Sequence, residues 1–244
     1  MVRDFVALDL ETTGLNPVRD RILEIGAIKV RDGKVEGEYS TLVDCKMSIP
    51  SYITELTGIT NEMLSQARAE QKAPEVSEAV KKLIDFCEDL PLLGHNIIFD
   101  YSFVKQNAVN CGLTFEKEGI DTLKIARICL PDLPSRSLEA LCRHYGIGSE
   151  THHRAVEDAY ASAQLYEKLV EAQGEQELPG IFFAHPLVYS VKKQSPITKS
   201  QKVYLIDLIK YHRIDIDVSI DSMTKSEASR MIDKILFTYG RIKR

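Results

Sequence analysis

Two acids stand two residues apart in Asp9-Leu10-Glu11, at the end of an apolar run from Asp4 to Leu10. In an extended strand, residues i and i+2 point to the same face, so both carboxylates share one side of the chain. Crowded carboxylates repel each other and lose hydration, which is costly unless a cation neutralises them. Oxygen ligands at that density suit Mg²⁺ or Mn²⁺. Taken alone, the pair fits more readily a strand that ends at the surface with both acids in water. Thr12-Thr13-Gly14 follows at once and reads as a tight turn with exposed backbone N–H groups.

Two further clusters carry similar groups. Gly94-His95-Asn96-Ile97-Ile98-Phe99-Asp100 places an acid just past a short apolar run and near the start of a helix. Asp100 by itself also fits a solvated first-turn residue favoured by the helix dipole. His152-His153-Arg154-Ala155-Val156-Glu157-Asp158 is the third cluster. Asp158 shares a stripe with Ala155, Ser162, Leu165 and Leu169, spaced three and four apart. A carboxylate on such a face points into the protein body, which is unusual unless it is paired or holds a metal. His153 falls off that stripe and belongs in the loop before the helix, free to approach the same place. Alone, either histidine is a surface or capping residue, and His144, His185 and His212 keep that plainer reading.

The elements that must position these groups follow from periodicity. Asp4 to Leu10 reads as a strand buried in mid-sheet. Ile22 to Val30 and Lys34 to Val43 are extended runs joined by Asp32-Gly33, a strong hairpin signal because both residues tolerate positive φ. Val76, Val80, Leu83, Ile84 and Cys87 fall at helical spacing. Pro91 to Gly94 reads as a buried strand, residues 99–111 as a helix, and a short strand precedes Asp121. Helices then follow to about residue 173. An antiparallel meander followed by alternating helix and strand predicts an α/β fold, a mixed sheet flanked by helices.

The expected domains are 1–173 for this body, 174–197 for a linker and 198–244 for a small basic helical module. The linker contains Pro179, Gly180, Pro186 and Pro196 and would touch the body through Ile181, Phe182 and Phe183. In the module, Thr198-Lys199-Ser200-Gln201 and Thr224-Lys225-Ser226-Glu227 both match a capping box. The apolar stripes behind them must pack on each other or on a partner.

Composition sets the surroundings. The 44% apolar and 27% charged content is enough for a core without staples. The five cysteines lack any CxxC pair, so they read as buried apolar residues in a reducing compartment. No secretory signal and no membrane-spanning run is visible, so the expected location is cytoplasmic, with no membrane contact. The net charge of −5 is unevenly spread. From Ser190 onward, 12 basic residues face 6 acidic ones, leaving −11 on the preceding 189. The basic end fits an anionic partner or, equally, a solvated helical surface with surplus lysine.

Taken together, the motifs Asp9-Leu10-Glu11-Thr12-Thr13-Gly14, His95-Asn96-Ile97-Ile98-Phe99-Asp100 and His153-Arg154-Ala155-Val156-Glu157-Asp158 resemble the DEDDh group of 3′→5′ exonucleases. That family includes the proofreading subunit of bacterial replicative polymerases. Three motifs in order over about two thirds of the chain are far more specific than any one. The sister group carries Tyr at the position of Arg154, which favours the His version here.

The resemblance implies a ribonuclease-H-like fold and a nuclease of the proofreading or repair type. It implies two divalent ions, Mg²⁺ or Mn²⁺, among Asp9, Glu11, Asp100 and Asp158, with His153 as general base. Thr12, Thr13 and Gly14 would meet the terminal nucleotide, Leu15 would wedge against a base, and Asn96 and Phe99 would shape the pocket. The partner would be a single-stranded 3′ end of DNA or RNA, with a polymerase or other protein as a candidate for the C-terminal helices. An RNA-trimming exonuclease is the alternative within enzymes. A non-catalytic nucleic-acid or polymerase adaptor is the alternative outside them.

Overall fold

The structure, a computed structural model, describes residues 2–148, 154–174, 180–192, 195–216 and 219–242. The chain divides into two compact units. One comprises Met1–Asp44 and Ile49–Val191, the other Cys45–Ser48 and Lys192–Arg244.

The first unit opens with β1 (Phe5–Thr12), β2 (Ile22–Arg31) and β3 (Lys34–Leu42), paired antiparallel in succession. Asp32 and Gly33 adopt φ of 49° and 72°, the conformation that lets a two-residue turn follow the twist of its strands. Helices α1 (Ser51–Thr57), α2 (Asn61–Ala69) and α3 (Val76–Cys87) come next. Then β4 (Leu92–Gly94) adds parallel to β1 and leads into α4 (Ile98–Asn110). β5 (Glu118–Asp121) adds parallel to β4, followed by α5 (Thr122–Cys129), α6 (Leu138–Tyr145) and α7 (Ala155–Gln173).

The sheet order among the described residues is β3-β2-β1-β4-β5-β6, where β6 is His185–Pro186. This is the mixed sheet with an antiparallel start that the periodicity predicts. Alternation along β1 feeds two cores. Val6, Leu8 and Leu10 enter the layer shared with Val80 and Leu83 of α3 and Tyr101 and Val104 of α4. Phe5 and Ala7 enter the layer shared with Ile125, Leu141, Leu165 and Leu169 from α5, α6 and α7. Asp9 and Glu11, at the same parity as Phe5 and Ala7, therefore face the α7 side.

The segment expected as a linker contributes to this body. A 3₁₀ turn at Gly180–Phe182 buries Phe182 completely, and its carbonyl accepts from Tyr166 Oη at 2.8 Å. Ile181 is partly buried against the same layer, whereas Phe183 is exposed. β6 then closes the sheet edge antiparallel to β5, continued by Leu187 N–H donating to the Lys117 carbonyl. A strand of two residues, one of them proline, leaves no period-2 signal to read. Two cysteines also depart from the expectation: Cys45, Cys87 and Cys142 are buried, but Cys129 is only partly buried and Cys111 is exposed.

In the second unit, α8 (Lys199–His212) and α9 (Lys225–Tyr239) each start with a complete capping box. Leu205 and Leu208 of α8 pack with Met223 and with Ile232 and Ile235 of α9. Ile197 N–H donates to the Met223 carbonyl at 2.9 Å, tying the entry of α8 to the residue before the α9 cap. No described helix is long and apolar enough to cross a membrane.

Candidate active site

The carboxylates of Asp9, Glu11 and Asp158 converge, each offering an oxygen within 4.8 Å of the others. β1 supplies the first two from its C-terminal end, where Asp9 and Glu11 flank Leu10, its last buried apolar side chain. α7 supplies the third from its first turn. Asp100 sits behind them, only 3% exposed, and its Oδ1 accepts the Leu10 N–H at 3.0 Å. The first turn of α4 is thus tied to the backbone between the two β1 acids.

The start of α7 is held by groups that periodicity did not single out. Glu24 on β2, paired with Glu11 in register, is almost fully buried. Its carboxylate accepts from Arg154 Nε at 3.1 Å, Arg154 Nη2 at 2.6 Å and Ala155 N–H at 3.1 Å. A buried carboxylate with a bidentate guanidinium and a helix N-terminal N–H is fully satisfied, and removing one partner is costly. Gly26, opposite Asp9, lies directly beneath this turn: a Cβ there would come within 2.1 Å of Ala155 C and Val156 N. The helix bearing Asp158 can approach the strand bearing Asp9 only because residue 26 has no side chain. His153 lies outside the described residues.

A third tether uses Asp121. Its Oδ1 caps α5 by accepting from Leu123 N–H and Lys124 N–H, and it also accepts Asn96 N–H at 3.1 Å. Asn96 has φ 71°, which turns the chain from β4 into α4 and so aims Asp100. The sequence pattern places Asp121 only at the end of a short strand; an acid there, just before a helix, is a signal for an N-cap. His95 is held between Thr122 Oγ1 at 2.9 Å and the Arg136 carbonyl at 2.8 Å, and burial lowers its proton affinity.

The expected substrate-facing residues are spread around this centre. Thr12 and Thr13 are buried, with hydroxyls bonded to the Gly14 carbonyl and the Arg21 N–H. Their side chains therefore brace the loop rather than project from it. Leu15 is 84% exposed at the loop tip. Asn96 is exposed, and Phe99 is half-buried against Phe103 with ring centroids 5.0 Å apart. Tyr52 Oη reaches the Thr13 carbonyl at 3.4 Å, a neighbour of the loop that nothing in the pattern announced.

Burial and mutual repulsion raise the proton affinity of Asp9, Glu11 and Asp100. Asp9 is pushed well above the usual carboxylate range, first by burial and then by Asp100, Asp158, Glu11 and Glu24. Glu11 is raised to about 8 by burial, then by Asp158 and Glu24, with Arg154 opposing. Asp100 is raised by burial against the lowering effect of its backbone N–H donors. Oxygen-only donors, crowded and short of positive charge, fit a hard divalent cation.

A testable consequence concerns stability without metal. Glu11 binds its proton more tightly folded than unfolded, so the folded state loses stability as pH rises from about 4.5 toward about 8. In chelator, Tm should fall across that window, by roughly 2–4 °C for each kcal/mol lost. Added Mg²⁺ or Mn²⁺ should flatten the slope. A Tm in chelator that climbs from pH 5 to 8 would contradict this electrostatic picture.

Comparison with known proteins places this geometry. The family model described as RNase_T, exonuclease, matches residues 6–166, spanning all the carboxylates described above. The chain belongs to this exonuclease family. Over 162 residues, the exonuclease is 40% identical to a PolC-type DNA polymerase III of Clostridium perfringens, covering 66% of this chain. It is also 40% identical over 168 residues, 68% of this chain, to the PolC-type enzyme of Thermotoga maritima. The matches span only 11% and 12% of those relatives' lengths.

Among solved structures, exonuclease X in complex with 5′ overhanging duplex DNA matches at 25% identity with a TM-score of 0.54. That match covers 70% of this chain and 94% of the other. The zinc-bound E. coli exonuclease I–single-stranded DNA complex matches at 24% identity and TM-score 0.62, covering 75% and 42%. The exonuclease therefore has the ribonuclease-H-like fold, and it is an enzyme acting on nucleic acid rather than an adaptor.

Proposed function

We propose that this exonuclease removes nucleotides in the 3′→5′ direction from single-stranded DNA ends, in replication or repair, using two Mg²⁺ or Mn²⁺ ions. The observation that carries the reading is the convergence of Asp9, Glu11 and Asp158 within 4.8 Å, backed by buried Asp100. These four acids would hold the ions. When bound, such ions supply positive charge to an attacking water and to the leaving 3′ oxygen.

The chain's own residues do the rest. His153, whose unperturbed pKa of about 6.5 leaves it largely neutral near pH 7, takes the proton from the attacking water. The Thr12–Thr13–Gly14 loop, braced by its own hydroxyls, presents backbone to the last nucleotide. Leu15 inserts against the terminal base, and Asn96 and Phe99 line the far side. DNA is favoured over RNA because the 40%-identical relatives are DNA polymerases and exonuclease X was solved with DNA.

The test uses 5′-labelled DNA and RNA oligomers of matched sequence. The DNA should shorten as a ladder with Mg²⁺ or Mn²⁺ and stop in chelator, with RNA markedly slower. Faster trimming of RNA would overturn the DNA assignment, and shortening from the 5′ end would overturn the direction. His153→Ala should cut kcat by roughly 10²–10⁴-fold while oligomer affinity stays nearly constant. Unchanged turnover would refute the base role.

A further inference from the structure

The second unit carries a surface that the nuclease site does not use. On α9, Ala228, Ile232 and Ile235 are buried, the two isoleucines packing with Leu205 and Leu208 of α8, and the opposite face is exposed. That face holds Phe237, which is 94% exposed. A ring so exposed contributes nothing to the core of its own unit. Arg230 and Lys234 lie seven and three residues before it, on the same side of the helix. Both are exposed, and among the described residues neither forms an ion pair. Asp233 adjoins them, and exposed Arg241 follows the helix end.

The charge of the region favours one kind of occupant. Residues from Ser190 onward carry +6 while the preceding 189 carry −11. An aromatic ring flanked by exposed cations, on a unit of surplus positive charge, combines the two means by which proteins hold single strands: base stacking and phosphate contact. A protein interface would use the ring and Arg230 but is depleted in lysine, so it leaves Lys234 and the surplus charge of the unit unaccounted for.

We propose that the second unit is a nucleic-acid-binding module, in which Phe237 stacks on a base of a single strand while Arg230 and Lys234 contact its phosphates. The proposal rests on the chain acting on nucleic acid, and it assigns the second unit a grip separate from the carboxylate centre.

The test measures binding of fluorescently labelled dT20 to the full chain in chelator, so that no cleavage intervenes, over a series of salt concentrations. Phe237→Ala should weaken binding by roughly 5–100-fold, with Tm essentially unchanged because the ring is exposed. Arg230→Ala combined with Lys234→Ala should weaken it too and reduce the log–log salt slope by about 1.4. Hydrolysis of the p-nitrophenyl ester of thymidine 5′-monophosphate, a single-nucleotide substrate, reports the carboxylate centre alone and should be unaffected by all three changes. If the variants bind dT20 as the wild type does, with the same slope, the face serves another partner and the proposal is overturned. Absent hydrolysis of the ester by the wild type would count against the exonuclease mechanism instead, leaving the dT20 result to be judged by itself.

Discussion

Asp9→Asn should turn over a DNA 3′ end at least about 10³-fold more slowly and, in chelator at pH 8, melt at a higher temperature than the wild type. The two effects share one cause. Asp9 is partly buried beside Asp100, Asp158, Glu11 and Glu24, and every one of these raises the free energy of its ionised form. Asparagine keeps the shape and removes the charge, so the metal-free fold is relieved of repulsion. The same charge is what a divalent cation would need, and losing several kcal/mol of its stabilisation corresponds to about 10³ in rate. As pH falls, the raised proton affinity of Asp9 lets the wild-type group neutralise, so the Tm advantage should shrink toward acid pH. Added Mg²⁺ should stabilise the wild type and barely move the variant. Turnover within about tenfold of wild type would remove Asp9 from the site.

Gly26→Ala is expected to damage both stability and rate without touching any acid. Its Cβ would fall 2.1 Å from two backbone atoms of Ala155 and Val156, which cannot rotate away as a side chain would. The first turn of α7 must lift, carrying Asp158 from its partners and straining the Glu24 bonds to Arg154 and Ala155. Overpacking of this kind costs about 1–3 kcal/mol, and misplacement by about 1 Å costs roughly 10²-fold in rate. Gly37→Ala is the matched control, since its Cβ would meet only Phe86 Cε2 at an ordinary 3.7 Å. Thermal melts and single-turnover cleavage of both variants decide the matter. If Gly26→Ala behaves like Gly37→Ala, the close approach of α7 to β2 is not what sets the site.

How much of this could be read from sequence depended on whether the signal was local. That Asp9 and Glu11 share one face was legible because strand alternation is short-ranged, but the pair read as a site only once the three motifs were taken together; Asp158 stood out because its stripe of Ala155, Ser162 and Leu165 contradicts a free surface acid. The meander was legible from Asp32-Gly33. Glu24 was not, because it sits inside the run Ile22 to Val30 and its partner lies 130 residues away. Gly26 was hidden for the same reason: its demand comes from a helix that folds over it from the far end of the body. Asp100 was placed near a helix start, yet its bond to Leu10 N–H, 90 residues distant, gave no pattern. The tether from Asp121 to Asn96 was likewise a tertiary matter.

The closing of the sheet by His185–Pro186 bears on how the body can be isolated. A truncation at residue 173, where the helical pattern ends, would strip Phe182 from beneath Tyr166 and bare the free edge of β5. An unpaired edge beside a newly opened apolar hollow is a template for self-association. A fragment ending at Val191 keeps both coverings, so the two cuts, eighteen residues apart, should separate an aggregating product from one that stays in solution.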